Sequence, residues 1–309
     1  MKHPQIQPDQ LDAWCQQWLS AEPTQVLFEA GHLSSVIGLQ LVDGRAVVLK
    51  ARPPADRIQA CVKVQHHLWA AGFPCPQPLA GPVPLGPWTA TAEAWVPGGV
   101  QLAPGPDTPQ RVAALLAQFI GLAPPVEALP TLLPSPPWVQ WDHDQPGIWP
   151  LPDDRPANLN EHQEPRWLDE LALRVRGRLE QCHFLPVVGH GDWEAQNLRW
   201  IDRRPHVVHD WDSVASRPEA VIVGAAAAVF TATGAPLTEA TLEETQAFLT
   251  AYEQARGQPW SSEERQVCWA AGLWVRAFNA KKEAVSGTGA SILERLASEA
   301  RERLRRAGG

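Results

Sequence analysis

Residues 187–213, VVGHGDWEAQNLRWIDRRPHVVHDWDS, decide how this chain is read. Asp192 is followed five positions later by Asn197 and, thirteen further on, by Asp210. Between the last two, LRWI (198–201) and HVVH (206–209) read as short strands, and DRRP (202–205) carries turn chemistry. A hairpin folded there brings its outer ends together at roughly the 5 Å spacing of paired strands, so Asn197 and Asp210 become neighbours. An amide oxygen beside a carboxylate is a pair of hard ligands suited to Mg2+, which takes one or two protein carboxylates and fills its other positions with water and substrate phosphates. Asp192, on the loop just before, is placed to meet a hydroxyl rather than the metal. In phosphoryl transfer to an alcohol the protein orients the attacking hydroxyl, accepts its proton late, and neutralises phosphate charge with a metal and a lysine. One loop and one hairpin can supply the base and both metal ligands, and the lysine must come from elsewhere.

Toward the N-terminus, DQLDAWCQQWLS (9–20) has the spacing of an amphipathic helix, followed by strand-length apolar runs at 24–30 (TQVLFEA), 36–42 (VIGLQLV) and 45–52 (RAVVLKAR). Asp43-Gly44 supplies a tight turn, which predicts an antiparallel pair. A helix is expected over 56–71, ended by Gly72 and the prolines of FPCPQP, then a strand over 88–96 (WTATAEAWV) ending at Pro97-Gly98-Gly99. Beyond that point the pattern turns helical, at 109–121, 165–182, 219–230, 238–256, 262–284 and 288–306. The boundary therefore falls near Pro97, dividing 1–97 from 98–309. A Pro- and Trp-rich stretch at 123–166 is too long for an idle connector and is expected to pack on the helical part or cap a cleft. No internal repeat or low-complexity tract interrupts the chain.

Length and composition agree with a two-lobed enzyme. The chain has 309 residues, 44% of them hydrophobic, and 22 glycines with 31 prolines fall short of a disordered composition. A net charge of -8 argues against nucleic acid or an anionic membrane as partner and is compatible with a cationic small molecule. The five cysteines, Cys15, Cys61, Cys75, Cys182 and Cys268, form no CxxC and read as buried small hydrophobes. The first residues carry no apolar signal core, and AVIVGAAAAVF (220–230) is too short to span a bilayer, so a cytoplasmic location is expected.

His190-Gly191-Asp192 followed by Asn197, then an apolar strand ending in Asp210-Trp211-Asp212, resembles the signature of the aminoglycoside phosphotransferase and choline kinase family, small-molecule relatives of the protein kinases. The resemblance spans most of the chain. It implies an α+β, bilobal protein-kinase-like fold, with a small antiparallel-sheet lobe that binds nucleotide (1–97) and a mainly helical catalytic lobe (98–309). It also implies Asp192 as catalytic base, Asn197 and Asp210 as Mg2+ ligands, and His190 as a support for the loop. Lys50 matches the strand lysine that meets the α- and β-phosphates. Gly31, Ser34 and Ser35 fall where the phosphate-covering hairpin belongs, and Glu93, Ala94, Trp95 and Val96 where the linker backbone receives adenine. The implied activity is Mg2+-dependent transfer of a γ-phosphoryl group from ATP or GTP to a hydroxyl of a small molecule, with an aminoglycoside or a basic viomycin-type peptide antibiotic as leading acceptor. A metabolic kinase of the choline, homoserine or thio-sugar type, and a nucleotide-binding module without turnover, stand as alternatives; the sequence leaves the oligomeric state open.

The chain departs from the family pattern in two places. From Arg57 to Ala92 there is no acidic residue, and Cys61 falls where a helix glutamate would pair with Lys50. Gln59, Gln65, Asp56 or the nucleotide alone are left as its partners. In RPEAVIVG (217–224), Val221 or Ile222 stands where relatives carry an aspartate. Of the remaining acids, Asp202 reads as a turn former, Glu194 as a solvated loop residue, and Asp212 as a possible outer ligand of the metal. WDHD (141–144) lacks the spacing of a metal site and reads as loop. With Asp153, Asp154, Glu161, Glu164, Asp169 and Glu170 it forms an anionic region that could receive an amine, flanked by Trp138, Trp141 and Trp149 as stacking surfaces. Trp269, Trp274, Asn279 and Lys281, on the 262–284 helix, could face the same pocket.

Overall fold

The computed structural model describes residues 6–31, 33–155, 157–234, 238–287 and 291–309. Strands β1 (Pro23–Ala30), β2 (Ser35–Leu41), β3 (Ala46–Arg52), β4 (Pro78–Leu85) and β5 (Trp88–Ala94) form one antiparallel sheet in the order β1-β2-β3-β5-β4. Residues alternate between faces along each strand. Ile37, Leu39 and Leu41 of β2, Val47, Leu49 and Ala51 of β3, and Ala90 and Ala92 of β5 are buried with Leu11, Trp14 and Cys15 of helix α1 (Pro8–Leu19). The opposite face therefore carries Val48, Lys50 and Arg52 of β3 with Thr91 and Glu93 of β5, and it is the polar one. Strand β4 was not expected from the sequence, because PLAGPVPL carries three prolines. It sits at the sheet edge, where a missing N–H breaks no central ladder.

Helix α2 (Arg57–Ala70) buries Ala60, Cys61, Val64 and Leu68 in the larger core, together with Phe73, Leu116 and Phe119. That core belongs to the helical part: α3 (Thr108–Leu122), α4 (Arg166–Glu180), α5 (Glu219–Val229), α6 (Leu242–Arg256), α7 (Ser262–Ser286) and α8 (Ser291–Arg306). The expected helices are all present, with α6 starting later than the 238 expected, because Thr241 caps it in a reciprocal pairing with Glu244. The expected start of the last helix, at 288–290, lies outside the described residues. Helices α5 and α7 cross at van der Waals contact through glycine: a Cβ on Gly224 would come within 2.1 Å of the Cys268 carbonyl oxygen. Two further strand pairs, β6 (Pro186–His190) with β9 (Val214–Pro218) and β7 (Leu198–Ile201) with β8 (Arg204–Val208), carry the 187–213 stretch on this helical base.

The Pro- and Trp-rich stretch contains three short 3-10 turns and packs on the helical part. Trp149 stacks on Trp274 at 5.6 Å and donates its ring N–H to Asp169, which also takes Lys281 Nζ at 2.8 Å. The Asp142 carboxylate receives both Nη atoms of Arg217 at 2.6 Å, with Trp141 beneath the guanidinium. His143 faces the Ile148 carbonyl. WDHD is a structural loop, as its spacing suggested. Trp141, Trp149, Trp269, Trp274 and Lys281 are core residues, so the expectation that they line a ligand pocket is corrected. Among the described residues, no helix is long and apolar enough to cross a membrane.

Candidate active site

The loop after β6 is held from both sides. Gly191 donates its N–H to Ser213 O at 2.7 Å, and a Cβ there would lie 3.0 Å from that oxygen. His190 is buried and accepts the Asp192 N–H on Nδ1 at 3.2 Å, so Nε2 carries the proton that faces His209 O at 3.1 Å. Burial pushes the His190 pKa down, which keeps the ring neutral and this pattern of donors fixed. Trp138 donates its ring N–H to Gly191 O at 2.8 Å, so the Pro- and Trp-rich stretch reaches the loop after β6 through Trp138.

Asn197 turns its amide nitrogen toward Asp192, donating to the backbone oxygen and to Oδ2, each at 3.0 Å. Its amide oxygen is thereby left for a cation. The hairpin brings the expected ends together: His209 donates its N–H to Asn197 O at 2.8 Å, so Asp210 follows directly beside Asn197. The turn is tighter than the sequence suggested, with Asp202 and Arg203 at φ 49 and 62 and strand β8 starting at Arg204. Asp210 itself has φ 62 and ψ 54, an uncommon conformation for a residue with a Cβ, at the start of a 3-10 turn over Trp211–Ser213. Ser213 Oγ donates to Asp210 Oδ2 at 2.5 Å, which fixes one oxygen of the carboxylate.

Burial pushes the Asp192 carboxyl up to about 7, and the Asp210 charge adds to the shift. Glu194 is buried rather than solvated, contrary to expectation, with Gln196 Nε2 donating to it at 2.5 Å. Burial, then the Asp192 charge, raise it well above the usual carboxylate range. His209 falls to about 4 through burial and the positive charge of Lys50, with Asp210 acting in the opposite sense.

On the sheet, Lys50 Nζ lies 3.3 Å from Glu93 Oε1, and Gln65 Nε2 donates to Glu93 Oε2 at 2.8 Å. Glu93 thus turns its side chain inward, toward Lys50 and Gln65. Past the end of β5, Trp95 donates its N–H to Ala46 O, as Ala94 does to Gln77 O, and Val96 follows. Gly31 and Ser34 lie in the turn between β1 and β2, whereas Ser35 already pairs with Ala51 and is buried; His32 lies outside the described residues. Phe28 covers Gly38, where a Cβ would meet its ring at 2.2 Å, and stands 6.0 Å from Trp95. Arg52 pairs with the Asp212 carboxylate and donates to Thr91 Oγ1 at 2.9 Å, while Arg57 reaches Asp212 O and Val214 O. Asp212 is a tie between the sheet, α2 and the end of the hairpin. Sequence spacing could not signal this contact, since its partners lie far away in the chain.

Among the described residues, no group of three or more His, Cys, Asp or Glu side chains is placed to hold a metal ion. The available donors, one amide oxygen and one carboxylate with a free oxygen, fit a hard cation that draws its other ligands from water and phosphate.

The sequence pattern of the "Phosphotransferase enzyme family" matches residues 24–270. The chain belongs to this family. Solved structures share the fold at low identity. A spectinomycin phosphotransferase in complex with ADP and spectinomycin is 13% identical with a TM-score of 0.58, covering 98% of this chain and 94% of that one. An amicoumacin kinase in complex with AMP-PNP, Ca2+ and Ami is 13% identical with a TM-score of 0.63, covering 92% and 89%. A fructosamine-3-kinase homologue from Thermobifida fusca is 19% identical with a TM-score of 0.57, covering 96% and 98%. No curated protein matches. The kinase-like phosphotransferase fold expected from the sequence, a small antiparallel sheet on a helical lobe, is the fold of this chain.

Proposed function

We propose that this phosphotransferase moves the γ-phosphoryl group of ATP or GTP, with Mg2+, to a hydroxyl of an amine-bearing small molecule, with an aminoglycoside or basic peptide antibiotic as the leading acceptor. Residues 1–97 serve as the nucleotide lobe and 98–309 as the catalytic and acceptor lobe. The observation that carries the reading is the contact of Asp192 with Asn197, whose amide oxygen is thereby turned free beside the Asp210 carboxylate. Asp192 accepts a hydrogen bond from the acceptor hydroxyl, orients its oxygen toward the γ-phosphorus, and takes the proton as the new O–P bond forms and ADP or GDP departs. Lys50 neutralises the α- and β-phosphates, and Gly31, Ser34 and the Ser35 backbone lie over them. Asn197 and Asp210 hold the cation, which when bound supplies electrostatic stabilisation to the phosphate oxygens. The base enters between the Phe28–Trp95 wall and Val96, whose N–H is the donor left for a purine.

The preference for a cationic acceptor rests on Asp153. Of the acids in the anionic region, Asp154 is spent on Lys282 and Arg155, Asp169 on Lys281 and Asp142 on Arg217, whereas Asp153 is half-buried and in no ion pair among the described residues. Burial pushes the Asp153 carboxyl up, the charges of Asp154 and Asp210 add to this, and Asp153 in turn acts on Asp192. A protonated amine beside Asp153 relieves that repulsion and sets its hydroxyl neighbour near the base. The test is ATP consumption by the purified protein across a panel of amine-bearing alcohols, with Asp192→Ala beside the wild type. Turnover with a panel member that vanishes in Asp192→Ala, with nucleotide affinity retained, is the expected result. Unchanged turnover in that variant removes the mechanism.

A further inference from the structure

Helix α2, RIQACVKVQHHLWA, contains no acid, yet Lys50 has a carboxylate partner. We propose that Glu93 of β5 is the positioning residue for Lys50, and that Gln65 of α2 holds Glu93 in place; the inference rests on the phosphotransferase reading given above.

The sheet register makes the pair. Lys50 stands opposite Thr91 and Val48 opposite Glu93, so Lys50 and Glu93 are diagonal neighbours on one face of adjacent strands. Both oxygens of the Glu93 carboxylate are engaged, Oε1 with Lys50 Nζ at 3.3 Å and Oε2 with Gln65 Nε2 at 2.8 Å. Gln65 is itself fixed, because the same Nε2 donates to Pro76 O at 3.1 Å and its backbone oxygen faces Cys75 Sγ. Side-chain exposure is 13% for Lys50 and 8% for Glu93, so neither charge is held in place by water. A buried carboxylate persists only where cation and hydrogen-bond donors meet it, and here both do.

Helix α2 spends its polar groups differently. Arg57 grips Asp212 O and Val214 O, and Cys61 Sγ faces Asp212 O at 3.9 Å. The helix face nearest the cleft is tied to the turn after Asp210 and leaves Lys50 to the sheet. In an arrangement with the acid on the helix, helix movement makes or breaks the ion pair. With both members on hydrogen-bonded neighbouring strands, the direction of the Lys50 ammonium is set by the sheet, and Gln65 only trims it. Glu93 touches neither substrate nor cation; it acts through Lys50.

The test separates aiming of the lysine from general support of the fold. Binding of Mg-ATP and of adenosine, which lacks phosphates, is measured by calorimetry for the wild type, Glu93→Gln and Gln65→Leu. Glu93→Gln is expected to weaken Mg-ATP about tenfold or more while leaving adenosine unchanged, since a charge-assisted contact is lost only at the phosphates. Gln65→Leu, which keeps the Glu93 charge but removes its donor, is expected to show a smaller loss, again confined to Mg-ATP. Equal Mg-ATP affinity in Glu93→Gln, or a parallel loss of ATP and adenosine in either variant, overturns the proposal. Should Glu93→Gln fail to fold, Glu93→Asp, which keeps the charge but shortens its reach, is expected to show the same ATP-selective loss, and wild-type affinity for both ligands in that variant overturns it. Wild-type protein that binds neither ligand contradicts the phosphotransferase reading itself, a result distinct from a variant that matches a binding-competent wild type.

Discussion

The two walls of the cleft are built by opposite means. On the helical side Asp192, Asn197 and Asp210 come from one loop and one hairpin, joined by the Asn197 amide and the His209 N–H. On the sheet side Lys50, Glu93 and Gln65 come from β3, β5 and α2 and meet only because the strand order is β3-β5-β4. A local constellation is set by spacing and turn chemistry, whereas a dispersed one depends on pairing across the fold. On the proposed mechanism the first tolerates little change of residue type, since each of its side chains would meet the reacting atoms. The second can exchange its parts: the sequence left Gln59, Gln65, Asp56 or the nucleotide as partners of Lys50, and a strand acid, Glu93, takes that place.

If that division is right, the local wall should dominate turnover. Asp192→Ala is expected to lower it by about 10²–10⁴-fold with Mg-ATP affinity nearly unchanged, as read by steady-state assay and calorimetry. Next comes the acceptor side, where Asp153→Asn should raise KM for an amine-bearing acceptor by about tenfold and leave a neutral alcohol unaffected, if the ammonium contact is worth a typical charged hydrogen bond. A smaller effect is expected where the walls are tied together. Asp212→Asn leaves Arg52 buried without its counter-ion, and unfolding in urea should show a loss of about 1–3 kcal/mol, moderated because Asp212 is partly exposed.

The finest distinction is in pH. The base works deprotonated, so turnover is lost as pH falls through the Asp192 pKa, raised to about 7 by burial and by Asp210. A cation held at Asp210 offsets the second cause. The acid limb of kcat should therefore move to lower pH as Mg2+ is raised. A limb that ignores Mg2+ would separate Asp192 from the metal hairpin and break the local wall apart.

The same contrast explains what could be read from the sequence. The Asp192, Asn197 and Asp210 spacing was legible because one hairpin, with Asp202 and Arg203 at its turn, fixes all of it within a short stretch. The inward aim of Glu93 was half legible: in WTATAEA the alanines Ala90 and Ala92 bury on one face, which puts Thr91 and Glu93 on the other. The strand that would lie beside β5 was not, because the prolines of β4 hid the edge strand and with it the order of the sheet. Glu194 looked solvated for a similar reason. Only the packed loop shows that Gln196 and Asp192 enclose it.

The account stands on the pairing of Asn197 and Asp210 around a divalent cation beside an independent base. Its most direct test is the affinity of Mn2+, as a spectroscopic stand-in for Mg2+, in the presence of AMP-PNP for the wild type and the Asn197→Ala, Asp210→Ala and Asp192→Ala variants, read by electron paramagnetic resonance. The account predicts the largest loss of Mn2+ binding in Asn197→Ala and Asp210→Ala, with a smaller loss in Asp192→Ala, where the backbone oxygen still receives the Asn197 amide. Tight binding in the first two, or its loss in Asp192→Ala alone, contradicts it.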